Sequence, residues 1–164
     1  MPRSPRGRLA PLAALLALPL ALAACGGAVD VDVPRLSAAD RAACAALAAD
    51  LPDTLADEER VEIEPEDAPA AAYGDPAIVV RCGVPKPEGF DLTASCESAD
   101  GVGYYIPDEQ YDDQGLDLTL TAAGYSPRVE VSIPSRYRPN AGPAAMTVLA
   151  PLVKEHLTLV DDCD

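Results

Sequence analysis

Five cysteines, at positions 25, 44, 82, 96 and 163, and one histidine, His156, carry most of the reactive chemistry open to this chain. Thiolates and imidazoles attack carbonyls, hold metals or, for thiols, pair as disulfides. No CxxC pair occurs, and with a single imidazole the cysteines do not form a zinc-binding pattern. Gly124-Tyr125-Ser126-Pro127-Arg128 begins like a nucleophile elbow, but Arg128 stands where the second glycine belongs. Gly101-Val102-Gly103 is not a phosphate loop, because Ile106 occupies the third glycine position. The stretch from Pro107 to Gly115 concentrates Asp108, Glu109, Asp112 and Asp113, which is oxygen chemistry suited to calcium at a spacing unlike an EF-hand. A solvated acidic loop is the expectation there, and no catalytic residue, cofactor or metal is assigned.

The position of Cys25 explains its separate role. Arg3, Arg6 and Arg8 precede an uncharged apolar run at residues 9–24, too short for a membrane span of about 20 residues, which reads as an export signal. Its end, Leu22-Ala23-Ala24-Cys25, resembles a bacterial lipobox, so residues 1–24 are expected to be removed and Cys25 to be lipidated. Two or more acyl chains on one residue anchor stably. Residues 25–36 read as a flexible tether, and residues 37–164 as a single globular domain on the outer face of the cytoplasmic membrane.

Removing the leader leaves 9 bases against 27 acids, a net charge of −18. Nucleic acid is excluded as a partner, because phosphate binding needs clustered bases, and adsorption to anionic lipid is opposed by the same charge. A hydrophobic content of 49% is too high for wholesale disorder. Much of it is alanine, so the core is expected to be modest.

Lipidation of Cys25 leaves four cysteines in an oxidising compartment, and four cysteines allow three connectivities. Local structure favours one of them. Ser37 caps a helix with Asp40 three residues on, which puts Cys44, Leu47, Ala48 and Leu51 on one face until Pro52 stops it. Ile78, Val80 and Cys82 share one face of a strand, and if the helix covers that face, Cys82 meets Cys44. Cys96 then pairs with Cys163.

Further strands are expected at Val61 to Glu64, at Val102 to Ile106, and at the alternating runs Leu116 to Thr121 and Val129 to Ile133, the last two forming a hairpin through Gly124 to Pro127. A tail helix from Pro143 to Leu157 carries Met146, Leu149, Val153 and His156 on one side, and Pro151 should kink or split it. The fold class is α+β: a two-layer sandwich in which a mostly antiparallel sheet of four or five strands is covered by an N-terminal and a C-terminal helix.

Several segments are similar to one family. These are Cys44 with Leu47 and Leu51-Pro52; Ala71-Ala72-Tyr73-Gly74-Asp75-Pro76 running into Val80-Arg81-Cys82-Gly83-Val84-Pro85; Gly101-Val102 before an aromatic; and Arg128-Val129 leading to Val131 and Ile133-Pro134. Together they resemble DUF3515, a group of actinobacterial extracytoplasmic proteins without an established activity, in which tryptophan usually stands in place of Tyr73 and near Tyr104. The resemblance implies fold and location and leaves the chemistry open.

Without a catalytic constellation, the chain is expected to be a non-enzymatic, monomeric binding or accessory lipoprotein of the cell envelope. Its binding surface is placed near Tyr73, Asp75, Tyr104 and Tyr105, because tyrosine joins an apolar ring to a polar tip. The alternatives are a hydrolase acting through paired carboxylates and a module holding a divalent cation.

Overall fold

The computed structural model describes residue 1 and residues 27–91 and 93–163. The export signal and Cys25 lie outside the described residues. The elements in chain order are β1 (Val29–Asp30), α1 (Ala38–Ala49), β2 (Thr54–Leu55), β3 (Glu58–Val61), β4 (Ile63–Glu64), β5 (Ala70–Tyr73), β6 (Ile78–Val84), β7 (Cys96–Ala99), β8 (Val102–Tyr105), α2 (Asp108–Asp112), β9 (Leu118–Thr121), β10 (Tyr125–Ser126), β11 (Arg128–Ile133), α3 (Ala141–His156) and β12 (Thr158–Leu159). A single 3-10 turn, Ser135–Tyr137, precedes α3.

The main sheet has eight strands in the order β2-β3-β5-β6-β11-β9-β8-β7, with every pair antiparallel. The α+β class and the helical cover hold, but the sheet is larger than the four or five strands expected. Strand β5 escapes the alternation test because it is Ala-Ala-Ala-Tyr: alanine has little preference for strands, and all four residues are buried. Strand β7, Cys-Glu-Ser-Ala, offers one face too polar to register. The expected hairpin is present, with Val131 opposite Leu120 and Ile133 opposite Leu118.

Both long helices lie on one face. Ile78, Val80 and Cys82 of β6, Val129, Val131 and Ile133 of β11, Leu118 and Leu120 of β9, and Val102 and Tyr104 of β8 form one buried cluster with Cys44 and Leu47 of α1 and with Leu149 and Val153 of α3. Ser37 caps α1 as its sequence implies, its side chain accepting from the Asp40 amide. Helix α3 runs through Pro151 without splitting. Pro151 and Thr147, four residues earlier, are both exposed, so the carbonyl that loses its helical donor faces water.

Cys44 is joined to Cys82 and Cys96 to Cys163, with Cα separations of 5.4 and 5.7 Å. The first bridge pins α1 to the middle of the sheet; the second ties the C-terminal tail to edge strand β7. Gly103 makes room for that tail, since a Cβ there would sit 2.9 Å from Cys163 Cβ. Two such bridges indicate an extracytoplasmic protein. No helix among the described residues is long and apolar enough to cross a membrane.

The segment expected to be a flexible tether is partly built into the fold. Strand β1 pairs in parallel with β4, through Val29 N–H to Glu62 O and Val31 N–H to Glu64 O, both 2.9 Å. Val31 is buried in a small cluster with Ala68 and Ala70, against which Val29, Ile63 and Val79 pack. This cluster covers the face of β5 and β6 turned away from the helices. Valine at every second position from 29 to 33 is a strand pattern, and the intervening acids and Pro34 conceal it in sequence.

Candidate functional site

Most of the expected binding surface is interior. Tyr73 and Tyr104 are fully buried and Tyr105 is 7% exposed, so these three cannot line a surface. The Tyr73 hydroxyl donates to Pro52 O at 3.0 Å and that of Tyr104 to Met146 O at 3.3 Å. Tyr105 points to the opposite side of the sheet and meets Phe90 edge-on, with ring centroids 5.5 Å apart. Burial is the largest cause raising the phenol pKa of all three, and Arg60 partly offsets it at Tyr73. Asp75 alone is exposed, and its carbonyl oxygen accepts from Arg136. A tyrosine on a strand is amphipathic whichever way it faces, and the side turned to the core is decided by register.

The acidic loop is organised by a cation of the chain itself. Part of it coils into α2, and the Arg138 guanidinium donates to the carbonyl oxygens of Gln110, Asp113 and Leu116 at 2.6, 3.1 and 2.8 Å. Three carbonyl oxygens of this stretch are therefore already acceptors of a guanidinium. Ser126 lies in β10, exposed and paired with Thr158, while the His156 imidazole is engaged by Asp50. A buried Asp or Glu pair at the base of a pocket would favour the hydrolase alternative; among the described residues the buried polar or charged side chain is Thr121.

An open concavity lies elsewhere, between α1, the β3–β5 edge and the segment entering the domain. It is an open groove of about 610 Å³, within the range of roughly 300–1,000 Å³ for small-molecule sites. Arg41, Ala45, Ala48 and Ala49 of α1 form one wall, at helical spacing on the side next to the core-facing stripe. Val33, Pro34 and Leu36 form a second wall, and Arg60, Val61 and Ile63 a third, with Ala68, Pro69 and Ala70 also lining the space. Alanine leaves room where a larger residue would fill the gap between helix and strand.

Two guanidiniums meet this apolar lining. Arg60 donates to Leu51 O at 3.3 Å and Arg41 to Leu36 O at 3.4 Å, which uses one of five donors on each. Neither makes an ion pair among the described residues; those present join Arg81 to Glu130 and His156 to Asp50. Glu62, Glu66 and Asp67 also line the groove and are exposed. The arrangement suits a ligand with an apolar body and a single anionic end: the rim acids oppose a polyanion, while the free donors of Arg41 and Arg60 match one carboxylate or phosphate group. Sequence reading missed this site because its walls come from four separate segments, and its one local signal is the second alanine stripe of α1.

No curated protein and no solved structure matches the chain. The family described as "Protein of unknown function (DUF3515)" matches residues 10–161. That match spans nearly the whole chain and includes the disulfide-bonded helix and strand, so the protein belongs to the DUF3515 family.

Proposed function

We propose that this is a lipoprotein of the cell envelope, anchored through Cys25 to the outer face of the cytoplasmic membrane, which binds an amphipathic anion in the α1 groove and performs no catalysis. The observation that carries the proposal is the groove itself: an open, largely apolar groove of about 610 Å³ with two guanidiniums that make no ion pair among the described residues, on a chain with an excess of acids. Val33 and Pro34 in its wall follow Cys25 by eight and nine residues. Because β1 is held in the fold, only the residues between Cys25 and Val29 remain as tether, a reach of about 14 Å. An anchored domain so tethered keeps its groove beside the bilayer, where such ligands are concentrated.

Two experiments test this. Cells fed labelled palmitate should incorporate label into the wild-type protein and not into Cys25→Ala; an unlabelled wild type overturns the anchor. Protein purified from envelopes in mild detergent should release, on denaturation, an amphipathic anion detectable by mass spectrometry in near-stoichiometric amount. The Arg41→Glu/Arg60→Glu variant should retain about tenfold less, which corresponds to about 1.4 kcal/mol. Equal loading of variant and wild type, or a wild type carrying nothing, overturns the groove assignment.

A further inference from the structure

We infer that Asp50, Glu155 and His156 form a binding site for a borderline divalent metal ion such as zinc, formed where the C-terminal ends of α1 and α3 meet. One potential ligand atom from each of the three side chains lies within 4.8 Å of the others. His156 Nε2 is 2.8 Å from Asp50 Oδ2, and ligands about 2.0–2.2 Å from a shared tetrahedral zinc ion stand about 3.4 Å apart, so Asp50 opens slightly and the exposed Glu155 moves inward to complete the set. The imidazole is only 14% exposed, whereas the Asp50 side chain is 54% exposed. The nitrogen ligand is thus held by packing and the oxygen ligands are free to adjust.

The donor set selects the ion. One imidazole with two carboxylates suits zinc, copper or nickel; calcium and magnesium take oxygen ligands throughout. Three protein ligands leave a fourth position for water, as in open zinc sites. Asp50 is the cap of α1 and His156 the last residue of α3, so the negative ends of two helix dipoles add to the attraction for a cation. The neighbouring cation is turned away: Lys154 Nζ donates to Asp100 O at 2.6 Å. Binding replaces the hydrogen bond between His156 and Asp50: the neutral imidazole carries its proton on Nδ1 and donates the Nε2 lone pair to the metal.

The site is independent of the groove and of the lipid anchor. It is tested by titrating the full chain, both disulfides formed, with zinc chloride by calorimetry in a non-coordinating buffer. Saturable binding of one zinc per chain is expected, with affinity falling at least about tenfold in His156→Ala and in Glu155→Gln. Glu155→Gln leaves the His156–Asp50 contact in place, so its loss of affinity cannot be ascribed to misfolding; circular dichroism checks both variants. Cobalt bound in place of zinc should show visible absorption bands that Glu155→Gln weakens. Absence of saturable binding up to millimolar zinc overturns the assignment. So does binding that both variants retain unchanged, which would reflect scattered surface carboxylates.

Discussion

Replacing Cys44 and Cys82 together with alanine should destabilise the protein by about 4 kcal/mol, the value the chain-entropy model gives for a loop closed over a separation of 38 residues. Both residues are almost fully buried, at 0% and 1% exposure. Alanine at both positions also leaves a small cavity between α1 and β6, which adds to the loss. The bridge matters here because α1 presents mostly alanine. Besides Cys44, Leu47 is its only buried residue, with Leu51 buried just beyond its cap, so the helix gains less from apolar burial than a leucine-rich one would. Urea unfolding monitored by circular dichroism measures the effect. A loss below about 1 kcal/mol would mean that packing alone holds α1 in place. The groove depends on the same contact, since its first wall is α1, so the double variant should also lose the bound ligand.

The Tyr104→Ala variant should lose about 3–5 kcal/mol, the range for truncating a fully buried aromatic side chain. The ring sits in the main core, and its hydroxyl reaches across to the carbonyl oxygen of Met146, linking β8 to the middle of α3. Tyr104→Phe keeps the ring and removes only the hydrogen bond, so about 1 kcal/mol is expected. Wild type and Tyr104→Phe also separate by pH. Burial raises the Tyr104 phenol well above its ordinary value of 10.0, with smaller contributions from Tyr125 and Asp100. The unfolded chain therefore releases this proton near pH 10 while the folded chain retains it. Stability from this source is complete below pH 10 and is lost as pH rises above it, by about 1.4 kcal/mol per pH unit for one group. Wild-type stability should fall more steeply than that of Tyr104→Phe between pH 10 and 11. Parallel curves would show that the phenol ionises equally in both states.

The parts of the structure legible in sequence are those set by residues close together in the chain. Ser37 and Asp40 mark the start of α1, the alternation from Val129 to Ile133 marks β11, and the Leu116 to Thr121 run marks its partner. The Cys44–Cys82 pairing was readable because a helical stripe and a strand face each point one sulfur at the core. Strand β5 was not readable, since alanine carries little signal of its own and acquires its place from neighbours on both sides. The tyrosines show the same limit: an aromatic in a strand is equally consistent with surface and core until the sheet has formed.

Composition and spacing alone determined the acidic character, the reading of an exported, cysteine-paired chain and the α+β class, because these depend on residue counts and short-range periodicity. The tertiary structure alone decided the groove and the Asp50–Glu155–His156 cluster. Asp50 and His156 are 106 positions apart, and the groove draws its walls from separate segments between Val33 and Ala70. No local pattern encodes such distances; they follow from the packing of α1 against α3 and the sheet edge, which is a property of the whole core.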